Sequence, residues 1–195
     1  MIIGLTGGIA TGKSTVSAML KKEGIPIIDA DIVAREVVEL GSNAYHQIVD
    51  HFGLSILKQD GTINREKLGN IVFEKKHERN ILNNIVHPAV REEMSRQAHF
   101  YKNEGHQLIV MDIPLLVEND LFHMVDEVVL VYVPESIQLK RLRARNDYTE
   151  QEAKQRMDSQ LSIEKKKQYA SYIIDNSGTV IETKQQVVEL INKLK

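Results

Sequence analysis

Residues 7–14 read Gly7-Gly8-Ile9-Ala10-Thr11-Gly12-Lys13-Ser14, the pattern G-x-x-x-x-G-K-[ST]. It follows a short apolar, partly β-branched run, Ile2–Thr6. A stretch with Val16, Met19 and Leu20 at helical spacing comes next, closed by Gly24. Strand, glycine turn, helix is the context in which this pattern makes a phosphate-binding loop. Gly7 and Gly12 permit backbone angles and close approach that a Cβ would obstruct. The intervening amides can then turn inward toward phosphate oxygens, at the positive end of the following helix. Lys13 supplies a point charge for β- and γ-phosphates, and the Ser14 hydroxyl is a ligand for Mg²⁺. A chain with this opening is expected to be an α/β protein that binds a nucleoside triphosphate.

The rest of the chain fits that expectation. Further apolar runs stand at 25–29, 108–112, 128–133 and 172–175, separated by helical patterns. Continuous apolar strands alternating with helices predict a parallel sheet covered on both faces. The interval from 31 to about 104 is mostly helical in pattern and several times longer than a crossover needs, so it predicts an inserted helical subdomain. Within it, Pro88 is expected to separate two helices. At 195 residues the chain suits one domain. Lys plus Arg number 25 and Asp plus Glu 27, so no global basic field favours nucleic acid. Cys is absent, which removes disulfides and thiol chemistry. There is no apolar run long enough to span a bilayer and no basic segment ahead of the first strand. The expectation is a cytoplasmic protein without nucleic-acid or membrane partners, with a monomer favoured and a homo-oligomer possible.

Several polar residues stand where phosphoryl transfer needs them. Asp112 closes the run Leu108–Met111 as a Walker B-like acid that could orient Mg²⁺ or its water. Asp29 and Asp31 close the second strand. One could take a proton from an acceptor hydroxyl while the other fixes geometry or the metal's water shell; Asp31 could equally cap a helix. Arg35, four residues on, could pair with Asp31 or hold a substrate phosphate. Lys140-Arg141-Leu142-Arg143-Ala144-Arg145 places four cations in six residues, with Arg141 and Arg145 on one helical face. That is the composition of a cationic lid, which a kinase needs to keep water from the γ-phosphate. No N-K-x-D motif for guanine is present, and the two D-x-x-G matches, at 50–53 and 175–178, read as turns. The alternatives are a kinase of another small acceptor, such as a nucleoside monophosphate, and a nucleotide-binding regulator with little turnover.

The succession GLTGGIATGKST, IDAD with Arg35, His87-Pro88 with Arg91, DIPLLVE (112–118), the Arg141/Arg145 cluster and IIDNSG (173–178) resembles the dephospho-CoA kinase family over essentially the whole chain. The resemblance implies transfer of the ATP γ-phosphate to the ribose 3′-hydroxyl of dephospho-CoA, with Mg²⁺. It implies a phosphate-loop three-layer sandwich on a five-stranded parallel sheet, with a helical substrate-binding insertion at about 31–105 and a lid at about 140–168. By position it assigns Gly8, Ile9, Ala10, Thr11, Gly12, Lys13, Ser14 and Thr15 to ATP, with Ser14 on the metal. Asn176 falls in the turn expected near adenine. Asp31 becomes the general base or positioning acid, and Lys13, Arg141 and Arg145 the catalytic cations. Asp29, Arg35, Arg65, His87, Arg91 and Asp112 fall on the substrate side.

Overall fold

The computed structural model describes residues 1–194. The chain divides into two compact units, Met1–Asp29 with Ala98 onward, and Ala30–Gln97.

The first unit carries a five-stranded sheet in the order β2-β3-β1-β4-β5, with every pairing parallel. The strands are β1 (Ile2–Gly7), β2 (Ile27–Asp29), β3 (Ile109–Asp112), β4 (Glu127–Tyr132) and β5 (Tyr172–Asp175). All five expected strands are present, with ends shifted by a residue or two. In β1 the period of two sends Ile3 and Leu5 to one face, where both are fully buried. There they join Val16 and Leu20 of α1 (Lys13–Lys22) and Val187 and Ile191 of α9 (Val180–Leu194). Each such side chain stabilises the fold by roughly 1.5–3 kcal/mol. Between them Gly4 faces the other way. A Cβ there would lie 2.4 Å from Cδ1 of the fully buried Leu116, so the missing side chain lets the loop after β3 lie against the central strand. After β4 come α6 (Glu135–Asn146), α7 (Glu150–Asp158) and α8 (Ile163–Lys167). A capping box starts α7, with Thr149 and Glu152 bonding each other's backbone amides.

The second unit holds α2 (Ala30–Glu36), α3 (Asn43–Phe52), α4 (Arg65–Glu74) and the first three-quarters of α5 (Lys76–Asn103). Its own core gathers Tyr45, Ile48, Ile56, Ile63 and Leu68, with Leu82, Ile85 and Val86 of α5 packed against it.

Two features depart from the sequence reading. Pro88 does not separate two helices; it lies inside the continuous α5. Proline removes one N–H from the ladder, and Leu82, Ile85 and Val86, partly buried against the unit's core just ahead of it, hold the helix in register past the gap. The interval 57–63 is not helical: Leu57 and Ile63 form an antiparallel bridge, and the Lys58 N–H donates to the Thr62 carbonyl at 2.8 Å. The turn closes through Gly61 at φ 81°, a left-handed conformation, with the Asp60 carboxylate accepting from the Thr62 amide.

Candidate active site

In an open parallel sheet the ligand crevice lies at the carboxyl ends of the strands. Here those ends carry Gly7 on β1, Asp29 on β2 and Asp112 on β3, and the register sets Asp29 directly beside Asp112.

The loop from Gly7 to Thr15 leaves β1 and enters α1. Ala10 (φ 60°) and Gly12 (φ 86°) are both left-handed. Such turns direct successive amides into a concavity suited to an anion. Gly12 is required twice over. Its φ disfavours a side chain, and a Cβ would fall 2.1 Å from Asn176 Nδ2. No side chain caps the start of α1 and no acid stands in its first turn. The positive end of the helix therefore meets the loop without a built-in counter-charge.

The loop's backbone is held from behind by side chains. Asn176 Nδ2 donates to the Thr11 carbonyl at 2.8 Å, and Asn176 Oδ1 accepts from the Thr183 hydroxyl at 2.8 Å. Gln138 Nε2 donates to the Ile9 carbonyl at 2.8 Å. The Ile9 amide donates to Gln160 Oε1 at 2.9 Å, and Lys166 Nζ donates to the Gly7 carbonyl at 3.1 Å. Three of the loop's carbonyls, those of Gly7, Ile9 and Thr11, are thus engaged by side chains, and so is the Ile9 amide.

Lys13 donates to Asp112 in an ion pair. Asp112 is only 3% exposed. Burial pushes its carboxyl above the ordinary range, and the Asp29 charge adds to that. The Lys13 charge and hydrogen bond, together with a Ser17 hydrogen bond, pull the other way without cancelling it. Ser14 and Thr15 are exposed at the first turn of α1.

Arg141 lies at the loop: its Nη2 donates to the Asn176 carbonyl at 2.8 Å. Arg145, one turn along α6, is exposed and donates through Nε to Asn146 Oδ1 at 2.8 Å. The two arginines share a helix but have different neighbours. Asn176 has both ends of its side-chain amide engaged within the protein.

In the second unit, Asp31 is the second residue of α2, exposed and in its acidic first turn, rather than the residue before the helix. Arg35 lies in the last turn of the same helix, and Arg65 begins α4. Arg35 and Arg65 line one cavity of about 420 Å³ with Lys58 and the apolar Val38, Leu40 and Ile63. His87 is exposed and Arg91 half-buried, four residues apart on α5, and neither lines that cavity.

Sequence reasoning missed Lys58, Gln138, Gln160 and Lys166. Lys58 had a signal, since it precedes the turn residues Asp60-Gly61. Gln138 and Lys166 sit in charged helices and Gln160 in the short link between α7 and α8, none of them in a motif.

Among the described residues no helix is long and apolar enough to cross a membrane.

The family model for dephospho-CoA kinase matches residues 1–182. A dephospho-CoA kinase of Bacillus cereus is 54% identical over 187 residues, covering 96% of this chain and 94% of its own. Among solved structures, the dephospho-CoA kinase of Campylobacter jejuni superposes with a TM-score of 0.78 at 31% identity, over 99% of this chain and 96% of its own. The protein TT1252 of Thermus thermophilus gives a TM-score of 0.81 at 26% identity with the same coverage.

Proposed function

The chain belongs to the dephospho-CoA kinase family and phosphorylates dephospho-CoA with ATP, the final step of coenzyme A biosynthesis; from that premise we propose how its residues divide the work. The observation that carries the proposal is the register of the sheet, which lines up Asp29 and Asp112 at the strand ends from which the phosphate loop also departs.

The loop amides and the start of α1 bind the triphosphate. Lys13, held at the strand ends by Asp112, bridges the β- and γ-phosphates. Asn176 serves the nucleotide by fixing the Thr11 carbonyl. Arg141, beside the loop, neutralises charge on the transferring group, and Arg145 joins it when the α6–α8 segment, about 140–168, closes as a lid.

The candidate donors are oxygens, the hydroxyl of exposed Ser14 in the first turn of α1 and the carboxylates of Asp29 and Asp112 at the strand ends. That set fits a hard cation such as Mg²⁺, which takes one or two protein oxygens and completes its shell with phosphates and water. Held by these residues, Mg²⁺ would supply neutralisation of charge on the triphosphate.

The acceptor is held by the helical insertion. Arg35, Lys58 and Arg65 surround a cavity with an apolar wall, which suits the diphosphate and the adjoining pantetheine arm of dephospho-CoA. His87 and Arg91 extend the substrate side along α5. Asp31 aligns the ribose 3′-hydroxyl and accepts its proton. The new bond joins O3′ to the γ-phosphorus, the bond to the β–γ bridging oxygen breaks, and ADP leaves. Without a phosphoenzyme, the protein's task is positioning and charge neutralisation.

A coupled assay of ADP release across dephospho-CoA, AMP, CMP and shikimate tests this. ADP release dependent on dephospho-CoA alone is the expected result. Equal or faster release with another acceptor overturns the substrate assignment.

A further inference from the structure

Lys166, in α8, has no exposed surface. A charge in the interior is tolerated only when it is paired and its hydrogen bonds are made. An ammonium has three donors, and Lys166 Nζ meets three acceptors: Glu118 Oε1 at 2.8 Å, the Gly7 carbonyl at 3.1 Å and the Pro114 carbonyl at 3.2 Å. Two of these belong to the nucleotide end of the sheet. Gly7 closes β1 and opens the phosphate loop, and Pro114 stands two residues beyond Asp112. The same carboxylate oxygen of Glu118 accepts from the Leu161 amide at 3.1 Å. The residue before it, Gln160, accepts from the Ile9 amide. One short stretch, 160–166, thus reaches the phosphate loop at two places.

We propose that Gln160, Lys166 and Glu118 form a brace that positions the phosphate loop for nucleotide, with Lys166 as its central positioning residue. Gly7 and Gly8 follow one another, and two glycines impose little restriction on their peptide planes. Left to itself, the Gly7 carbonyl is able to swing toward the polyanion, where its lone pairs repel phosphate. The Gly8 carbonyl is fixed within the loop, by the Thr11 hydroxyl at 2.9 Å. The Gly7 carbonyl has the Lys166 ammonium. A buried ion pair is a poor way to gain stability, since apolar residues of similar volume often serve as well or better. What an apolar side chain lacks is a donor for that carbonyl. Because 160–166 lies at the C-terminal end of the segment proposed as the lid, the brace also ties the loop to that segment.

The inference rests on the loop's binding of nucleotide, not on the identity of the acceptor. Its test uses two variants of the full chain. Lys166→Met with Glu118→Gln removes both charges together and keeps an acceptor for the Leu161 amide. Gln160→Ala alters a half-buried residue outside any helix. MgATP affinity by calorimetry, KM for each substrate, and melting temperature are compared with the parent. The double variant is expected to melt near the parent and to bind MgATP roughly tenfold more weakly, with KM for MgATP raised in step. Gln160→Ala is expected to weaken MgATP roughly threefold, the size of one neutral hydrogen bond. In both, KM for dephospho-CoA stays within about twofold of the parent. Parent-like MgATP affinity in the variants overturns the proposal. So does a joint rise of both KM values that tracks a fall in melting temperature, which marks a merely structural role. If the double variant does not fold, Gln160→Ala decides alone. The parent's own MgATP binding is the control: its failure refutes the nucleotide reading, whereas failure of the brace shows only in the variants.

Discussion

In the sheet-bearing unit the cations near the phosphate loop are already engaged. Lys13 lies on Asp112, Arg141 on the Asn176 carbonyl, and Lys166 on Glu118 and two further carbonyls. In the helical unit, Arg35, Lys58 and Arg65 are exposed around a cavity. The difference matches what each is proposed to recognise. A triphosphate in transfer has one geometry, and donors fixed beforehand cost no reorganisation when charge develops. A long, flexible acceptor gains from cations on mobile stems, at the cost of ordering them when it binds. The first arrangement should govern kcat and the second KM for the acceptor.

The largest effect tests the engaged side. Lys13→Ala is expected to lower kcat by on the order of 10³-fold or more, read by ADP release. It also leaves Asp112 buried without its counter-ion, so its melting temperature should fall below the parent's at neutral pH. That deficit should shrink as the pH is lowered and Asp112 takes up a proton. A Lys13→Ala protein with parent-like turnover would remove the basis for the contrast.

Asp31→Asn comes next. A positioned base contributes about 10²–10⁴-fold, so kcat should fall by that factor while KM for MgATP stays within about twofold. If the variant turns over at the parent's rate, another group takes the proton.

How far these residues were legible in the sequence follows the same division. Gly7, Gly12, Lys13 and Asp112 were visible because backbone geometry and strand ends constrain residue type locally. A loop that must be left-handed at Gly12 and has no room for a Cβ at Gly7 or Gly12 announces itself. The five strands were visible for a similar reason: buried on both faces, they read as unbroken apolar runs. Pro88 misled because local propensity was set against a helix whose neighbours Leu82, Ile85 and Val86 were already packed. Gln138, Gln160 and Lys166 were invisible for the opposite reason. Each acts on the loop from more than 100 residues away along the chain, and inside runs of exposed charge nothing local distinguishes a buried lysine.

A smaller effect separates stability from chemistry on the engaged side. The folded state holds the Asp112 carboxyl above its ordinary value of 3.8, chiefly through burial. Folding is therefore favoured by the protonated form. That contribution is fully present below the unfolded value and is lost as pH rises through the folded one. Asp112→Asn should accordingly gain stability relative to the parent as pH is raised from below 3.8 toward neutrality, by urea denaturation across that range. Its kcat should nonetheless fall, since Lys13 loses the acid that holds it at the strand ends. A variant that loses stability relative to the parent over the same rise would show that the ion pair outweighs burial.

The smallest effect belongs to the exposed side. On the proposed reading, Arg65→Ala and Lys58→Ala each remove one charge-assisted contact to a phosphate, worth about 1.5–3 kcal/mol when shielded and less in water. The low end corresponds to about tenfold in KM for dephospho-CoA. Neither should change kcat or KM for MgATP by more than about twofold, and neither should lower the melting temperature, because both side chains are exposed. Raising the salt concentration should weaken dephospho-CoA binding in the parent and flatten that dependence in both variants, since screening acts on exposed pairs. If instead either variant lowered kcat with KM unchanged, its cation would belong with Lys13 and Arg141 as part of the transfer machinery. The division between engaged and exposed cations would then not follow the division between chemistry and recognition.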